Sequence, residues 1–232
     1  MYQRLDFAGF ILADRGYDVW AMNTREIAFR SYSKNMSQNH DQYWQWSFDE
    51  IGRYDIAAVI DLVLNATGST RVSLLGYSQG VFSSLVLLST RPEYNDKLLL
   101  DPLGNSGYFH LPQVLRKVIQ AVCNIFKGQP CSLFLTLTLI SSAEQSNKKK
   151  PPAYPMERIT VPVALFSSEG DTLGNPEDVS SLAESLGSEL LFSNVVPPKF
   201  FRHMDFAFGY KATDFLHGPM IDTLDRNAGT SV

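Results

Sequence analysis

The sequence predicts an α/β protein, built on a mostly parallel sheet with helices on both faces. Three observations carry that expectation. Helix-like and strand-like segments alternate from residue 5 to residue 196. The run Arg71-Val-Ser-Leu-Leu is short, apolar and β-branched at its start, and a glycine-flanked turn and an apolar helix follow it at once. A serine, an aspartate and a histidine each stand just beyond a predicted strand, where sheets of this kind assemble their sites.

Composition sets the outer bounds. A chain of 232 residues suits one domain, spanning 1–232, and can bury a large core. Hydrophobic residues make up 44% and the net charge is −4, so no basic surface is expected for nucleic acid or anionic membranes. The longest apolar stretch, around Leu133 to Ile140, is far too short for a transmembrane segment. Met1-Tyr-Gln-Arg-Leu-Asp has neither the basic start nor the apolar core of a signal peptide. Cys123 and Cys131 enclose a small loop and either close a disulfide in an oxidising compartment or stand as free thiols. Asn35-Met-Ser and Asn65-Ala-Thr are glycosylation sequons if the chain is secreted.

Leu5 to Arg15 carries apolar residues at helical spacing, with Gly16 as its stop. Tyr17 to Met22 then fits a strand, and residues 23–42 a polar surface loop in which Arg25, Arg30, Lys34 and His40 are solvated. Ser47-Phe-Asp-Glu50 is a capping box. The helix it opens runs from about Phe48 to Thr67, buries Ile51, Ile56, Val59, Ile60, Val63 and Leu64, and ends at Gly68. Trp44 and Trp46 are packing anchors at its entrance, and Asp49, Asp55 and Asp61 are cap and surface charges. Beyond the serine turn and its helix, Lys97 to Leu100 is the next strand candidate and Leu111 to Phe126 an amphipathic helix. Ser132 to Ile140 fits helix and strand equally. Ser141 to Pro155 is polar and carries a solvated Lys148-Lys149-Lys150 run. Val161 to Ser167 is a strand, Pro176 to Leu186 a helix capped by Gly187, and Glu189 to Val196 a strand. Ala212 to Asp225 has helical character that Gly218-Pro219 should break or kink.

The chemistry concentrates at Gly76-Tyr77-Ser78-Gln79-Gly80. A strand, G-x-S-x-G and a helix in succession form the nucleophile elbow of the α/β-hydrolases. The turn holds Ser78 in a strained conformation, and Gly76 and Gly80 remove side chains that would collide with the strand and helix. The helix start places the Gln79 backbone N–H where an oxyanion would form. Asp171 follows the strand at 161–167 and His203 the strand at 189–196, so the order is Ser, Asp, His. His203 then serves as general base, Asp171 orients its imidazole, and Ser78 attacks an ester carbonyl through an acyl-enzyme. Asp205 sits beside the histidine rather than after the preceding strand, and Asp178 is a weaker substitute for Asp171. His40, His110 and His217 lack the strand-end position.

Beyond the elbow, the sequence resembles the acid lipase family of gastric and lysosomal lipases and their invertebrate relatives. The residues that carry this are Leu12-Ala-Asp-Arg-Gly-Tyr-Asp-Val-Trp, Asn23-Thr-Arg, Trp44-Gln-Trp-Ser-Phe-Asp-Glu, Tyr54-Asp-Ile-Ala-Ala-Val-Ile-Asp, Gly76-Tyr-Ser-Gln-Gly, Pro151-Pro-Ala-Tyr, Asp171-Thr-Leu-Gly-Asn-Pro-Glu-Asp-Val and His203-Met-Asp-Phe. The resemblance implies Ser78, Asp171 and His203 as a triad and Gln79 as one oxyanion donor. It implies hydrolysis of neutral lipid esters, triacylglycerols or cholesteryl esters, at a lipid interface without metal or organic cofactor. It also implies a secreted or lysosomal glycoprotein and a Cys123–Cys131 disulfide.

The sequence departs from the family pattern in three respects. The family's upstream strand with a His-Gly-Leu motif, source of a second oxyanion donor, is missing ahead of Leu5; losing one such donor costs about a hundredfold in rate. The cap or lid insertion, at about 104–155, is shortened where Gln145-Ser-Asn-Lys-Lys-Lys-Pro-Pro runs. Glu26 stands where the family has glycine, and Tyr77 where it usually has histidine. The main expectation is therefore a serine esterase or lipase. The alternative is a catalytically impaired, truncated form or a lipid-binding pseudoenzyme.

Overall fold

The computed structural model describes residues 8–27, 37–99, 101–104, 153–197, 199–209 and 211–228. Its sheet is parallel throughout, in the order β1 (Asp101–Gly104), β2 (Val163–Ser168), β3 (Leu190–Val196). Every residue of β2 is buried, as expected of a strand covered on both faces. In β3 burial alternates, and Leu191 and Val195 point outward.

Alternation along β2 divides the core in two. Val163 and Leu165 enter one cluster with Ile51, Ile60, Val81 and Leu88. Ala164 and Phe166 enter the other with Leu12, Phe201, Leu216 and Ile221. The first face is covered by α3 (Ala57–Thr67), which α2 (Phe48–Glu50) leads into, α4 (Gln79–Thr90) and α5 (Pro176–Leu186). The second is covered by α1 (Ala8–Asp14), α6 (Asp205–Phe208) and α7 (Gly218–Ala228). The two-sided α/β architecture expected from the sequence is the architecture found.

Local signals fix most helix ends. Ser47 and Glu50 form a complete capping box, and Gly68 ends α3 at φ 73°. Between α2 and α3 a π-turn, Ile51–Ile56, widens the helix where Gly52 crosses α4. A Cβ on Gly52 would lie 2.4 Å from the Ser83 carbonyl oxygen and 2.9 Å from the Val86 Cβ, so only glycine permits this approach. Trp46 is buried and Trp44 packs against the same cluster, as anchors should. α5 starts with Asn175 capping Glu177 N–H and proline in its first turn, and Gly187 ends it.

Several sequence expectations are corrected. Tyr17 to Met22 forms no ladder among the described residues, and Val19 and Trp20 are exposed; extended backbone becomes a strand only beside a partner. Within the strand expected at 71–75, the pairing among the described residues is one parallel bridge, Val72 to Leu98. The strand expected at Lys97 to Leu100 instead begins at that bridge and forms its ladder from Asp101. Arg25 is not simply solvated: its Nε and Nη2 reach Asp55 at 2.9 and 2.6 Å, tying the 23–27 segment to the helix. Asp61 likewise pairs with Lys97 at 2.6 Å, and Asp49 with Arg53 at 2.7 Å. Gly218-Pro219 does not break the last helix. A π-turn, Thr213–His217, runs directly into α7, with the Gly218 N–H bonded to the Thr213 carbonyl. Leu111 to Phe126, Ser132 to Ile140, both cysteines and most of the expected cap at 104–155 lie outside the described residues, as does Asn35. The sequon residue Asn65 is exposed on α3.

Gly52→Ala should destabilise the fold by about 2–3 kcal/mol through overpacking and lower the melting temperature by roughly 5–10 °C. A circular-dichroism melt checks this; an unchanged midpoint would contradict the close crossing.

Candidate active site

The loops after β2 and β3 and the turn before α4 converge at one end of the sheet. Ser78 takes φ 53° and ψ −117°, the one positive φ at a non-glycine residue among the described residues. Such a backbone costs about 1–3 kcal/mol and persists only when its surroundings hold it. Helix α4 supplies that hold: Val81 and Leu85 to Leu88 are buried, and the helix has no charged residue. The Gly80 and Val81 N–H groups close the turn onto the Tyr77 and Ser78 carbonyls at 2.9 and 3.0 Å.

The two elbow glycines do different jobs. A Cβ on Gly76 would lie 3.0 Å from backbone atoms of Gly80 and Val81, whereas one on Gly80 would meet nothing within 4 Å among the described residues. Both glycines were expected to relieve a clash; among the described residues the crowding is at Gly76.

Asp171 is wholly buried, with its Oδ2 2.8 Å from His203 Nδ1. Its Oδ1 accepts the Leu173 and Gly174 N–H groups, both at 2.8 Å. Burial pushes the carboxyl pKa up, but the His203 and Gly174 hydrogen bonds, the His203 charge and the Leu173 N–H together outweigh burial and hold it below the usual value. His203 Nε2 lies 2.9 Å from Ser78 Oγ. One imidazole thus bridges the serine and the buried carboxylate.

Two residues that the sequence did not single out bring the Asp and His loops together. Ser168 Oγ donates to the Phe201 carbonyl at 2.6 Å and accepts the Gly170 N–H at 3.1 Å. A Cβ on Gly170 would lie 2.2 Å from the Lys199 carbonyl oxygen, so the two loops touch backbone to backbone there. Phe201 is buried edge-on against Phe206 at 4.9 Å. The only sequence signal for this was Glu169-Gly-Asp as a turn after a strand.

The remaining candidates fall elsewhere. Asp205 accepts the Arg202 N–H at 2.7 Å and opens α6. Asp178 stands in the first turn of α5. His40 is exposed, His217 is buried in the π-turn before α7, and His110 lies outside the described residues. Gln79 is the first residue of α4, so its N–H belongs to the turn whose donors have no acceptor within the helix. Its side chain reaches Glu26 at 3.4 Å. Beside it lies a cleft of about 240 Å³ lined by Met22, Glu26, Ile51, Leu74, Gly76 and Gln79. Among the described residues no cluster of His, Cys, Asp and Glu could hold a metal, and no helix is long and apolar enough to cross a membrane.

The fold is that of the α/β-hydrolases. A crystal structure of an Agrobacterium tumefaciens protein assigned to that class aligns with a TM-score of 0.52, at 18% identity, over 96% of this chain and 76% of the other. A Mycobacterium tuberculosis protein assigned as a non-heme bromoperoxidase aligns with a TM-score of 0.53, at 13% identity, over 78% of this chain and 75% of the other.

The sequence relatives are named as lipases. Human lipase member M is 25% identical over 94% of this chain and 69% of its own length. Drosophila melanogaster lipase 1 is 28% identical over 94% of this chain and 66% of its own length. Mouse gastric triacylglycerol lipase is 25% identical over 91% of this chain and 73% of its own length. The chain therefore spans about two thirds to three quarters of these relatives. No protein-family model matches it. The resemblance to the acid lipases read from the sequence agrees with these relatives: the chain is similar to lipases along nearly its whole length, at 25–28% identity.

Two outcomes are expected. Gly76→Ala should lower stability by about 1–3 kcal/mol through the crowded turn, whereas Gly80→Ala should raise it by about 0.5–1 kcal/mol through helix propensity; urea unfolding of both variants checks the contrast. Because the folded pKa of Asp171 is depressed, its contribution to stability is present above the ordinary carboxylate value of about 4 and is lost as pH falls through the lower folded value. The melting-temperature gap between wild type and Asp171→Asn should therefore be full near neutrality and shrink under acid.

Proposed function

We propose that this chain is a serine carboxylic ester hydrolase of lipase type, acting on neutral lipid esters. The observation that carries the reading is the continuous path Ser78 Oγ–His203 Nε2 and His203 Nδ1–Asp171 at 2.9 and 2.8 Å. His203 takes the Ser78 proton as the hydroxyl oxygen bonds to the ester carbonyl carbon. Asp171, kept ionised by its hydrogen bonds, stabilises the imidazolium that forms. The imidazolium then protonates the leaving alkoxide, and water, activated in the same way, releases the acid from Ser78. The Gln79 backbone N–H is one donor to the oxyanion.

A triacylglycerol is the first substrate class to test, because a gastric triacylglycerol lipase is among the relatives. Cholesteryl esters are the second, from the acid lipase resemblance. The alignment with lipase member M runs over 296 positions although the chain has 232 residues, so that relative carries stretches without a counterpart here; the acid lipase resemblance assigns them to the cap at about 104–155. By the same resemblance the protein is a secreted or lysosomal glycoprotein, with exposed Asn65 as a glycan acceptor. An impaired enzyme or lipid-binding remnant is the second reading, favoured by Glu26, whose carboxylate stands within 3.4 Å of the Gln79 side chain beside the expected oxyanion.

The test is hydrolysis of p-nitrophenyl butyrate and emulsified tributyrin by the wild type, Ser78→Ala and His203→Ala. Activity should fall by about a thousandfold or more in both variants with the melting temperature nearly unchanged. Turnover that survives Ser78→Ala would overturn the assignment. A folded wild type that binds tributyrin without cleaving it would favour the second reading.

A further inference from the structure

We propose that Tyr77 is a positioning residue for His203, its ring seating the imidazole face and its hydroxyl holding the His203 backbone, so that Nε2 stays aimed at Ser78. The inference rests on the triad reading above and extends it to a residue outside the triad.

His203 needs such a device. It stands on a loop between β3 and α6, and its neighbours Phe200 and Met204 are exposed. The bonds from Nδ1 to Asp171 and from Nε2 to Ser78 both lie at the ring edge and leave its tilt about the line between them unset. A contact on the ring face removes that freedom. Tyr77 supplies it: the two rings stack with centroids 5.2 Å apart and planes 29° from parallel.

The hydroxyl adds a second point of hold. Tyr77 Oη donates to the His203 carbonyl at 2.7 Å and lies 3.8 Å from Met204 Sδ. Burial, with the negative charges of Asp171 and Asp205, pushes the Tyr77 pKa up to about 12, so the phenol remains a donor across the neutral range. Tyr77 itself packs against the second core cluster. It is also bonded directly to Ser78. One residue thus registers the backbone carrying the nucleophile against the backbone carrying the base. When His203 takes the proton, the phenol face lies within cation–π range of the imidazolium.

The test uses the full chain and its Tyr77→Phe and Tyr77→Leu variants, with Ser78→Ala and His203→Ala as controls. The readouts are the rate of labelling by a fluorophosphonate probe, kcat and KM on p-nitrophenyl butyrate, and thermal melts. Tyr77→Phe keeps the stack and loses the hydroxyl bond, so labelling and kcat should fall about 3–10-fold with KM unchanged. Tyr77→Leu loses both contacts and should fall about a hundredfold, as a misaimed base would. Phenylalanine should therefore recover most of what leucine loses. Wild-type labelling rate and kcat in both variants would overturn the inference while leaving the triad intact, and so would losses that only follow the melting temperature. A wild type that does not label, or that labels without Ser78, would overturn the triad reading and this inference with it.

Discussion

The buried carboxylate of Asp171 is the fixed point of the candidate site. It has no exposed surface, and two backbone N–H groups and one imidazole nitrogen fill its oxygens. A buried charge without those partners would cost several kcal/mol. The loop after β2 must therefore fold back to present Leu173 and Gly174, and the loop after β3 must deliver His203. Ser168 and Gly170 close the seam between the two loops, and the histidine can meet the aspartate only because glycine lets the chains touch.

The serine reaches the same point from the other side of a different constraint. Its positive φ is a standing cost, held by a helix whose buried apolar residues have nowhere else to go. The sheet contributes by being parallel: β2 and β3 both end at the edge where the site lies, and α4 starts there.

Legibility in the sequence follows the range of the interaction. The elbow, the Ser47–Glu50 capping box and the ends of α5 were readable because each is decided within a few residues. The strand-end positions of Ser78, Asp171 and His203 followed from the order of elements, although their mutual distances did not. Arg25 with Asp55 and Tyr77 with His203 were hidden, since the partners are 30 and 126 residues apart and neither residue type demands the other. Tyr17 to Met22 and residues 71–75 have the composition of strands, but a ladder needs a neighbour as well as a propensity, and among the described residues only Val72 has one. The different duties of Gly76 and Gly80 could not be separated by motif, because the match is symmetric and the crowding is not.

The central claim is that Ser78 is a nucleophile made reactive by His203. The most direct measurement is mass spectrometry of the folded chain after reaction with diethyl p-nitrophenyl phosphate. The account predicts a single diethylphosphoryl adduct on the peptide containing Ser78, absent when His203 is replaced by alanine. An adduct on any other residue, or none on a folded wild-type chain, would contradict it.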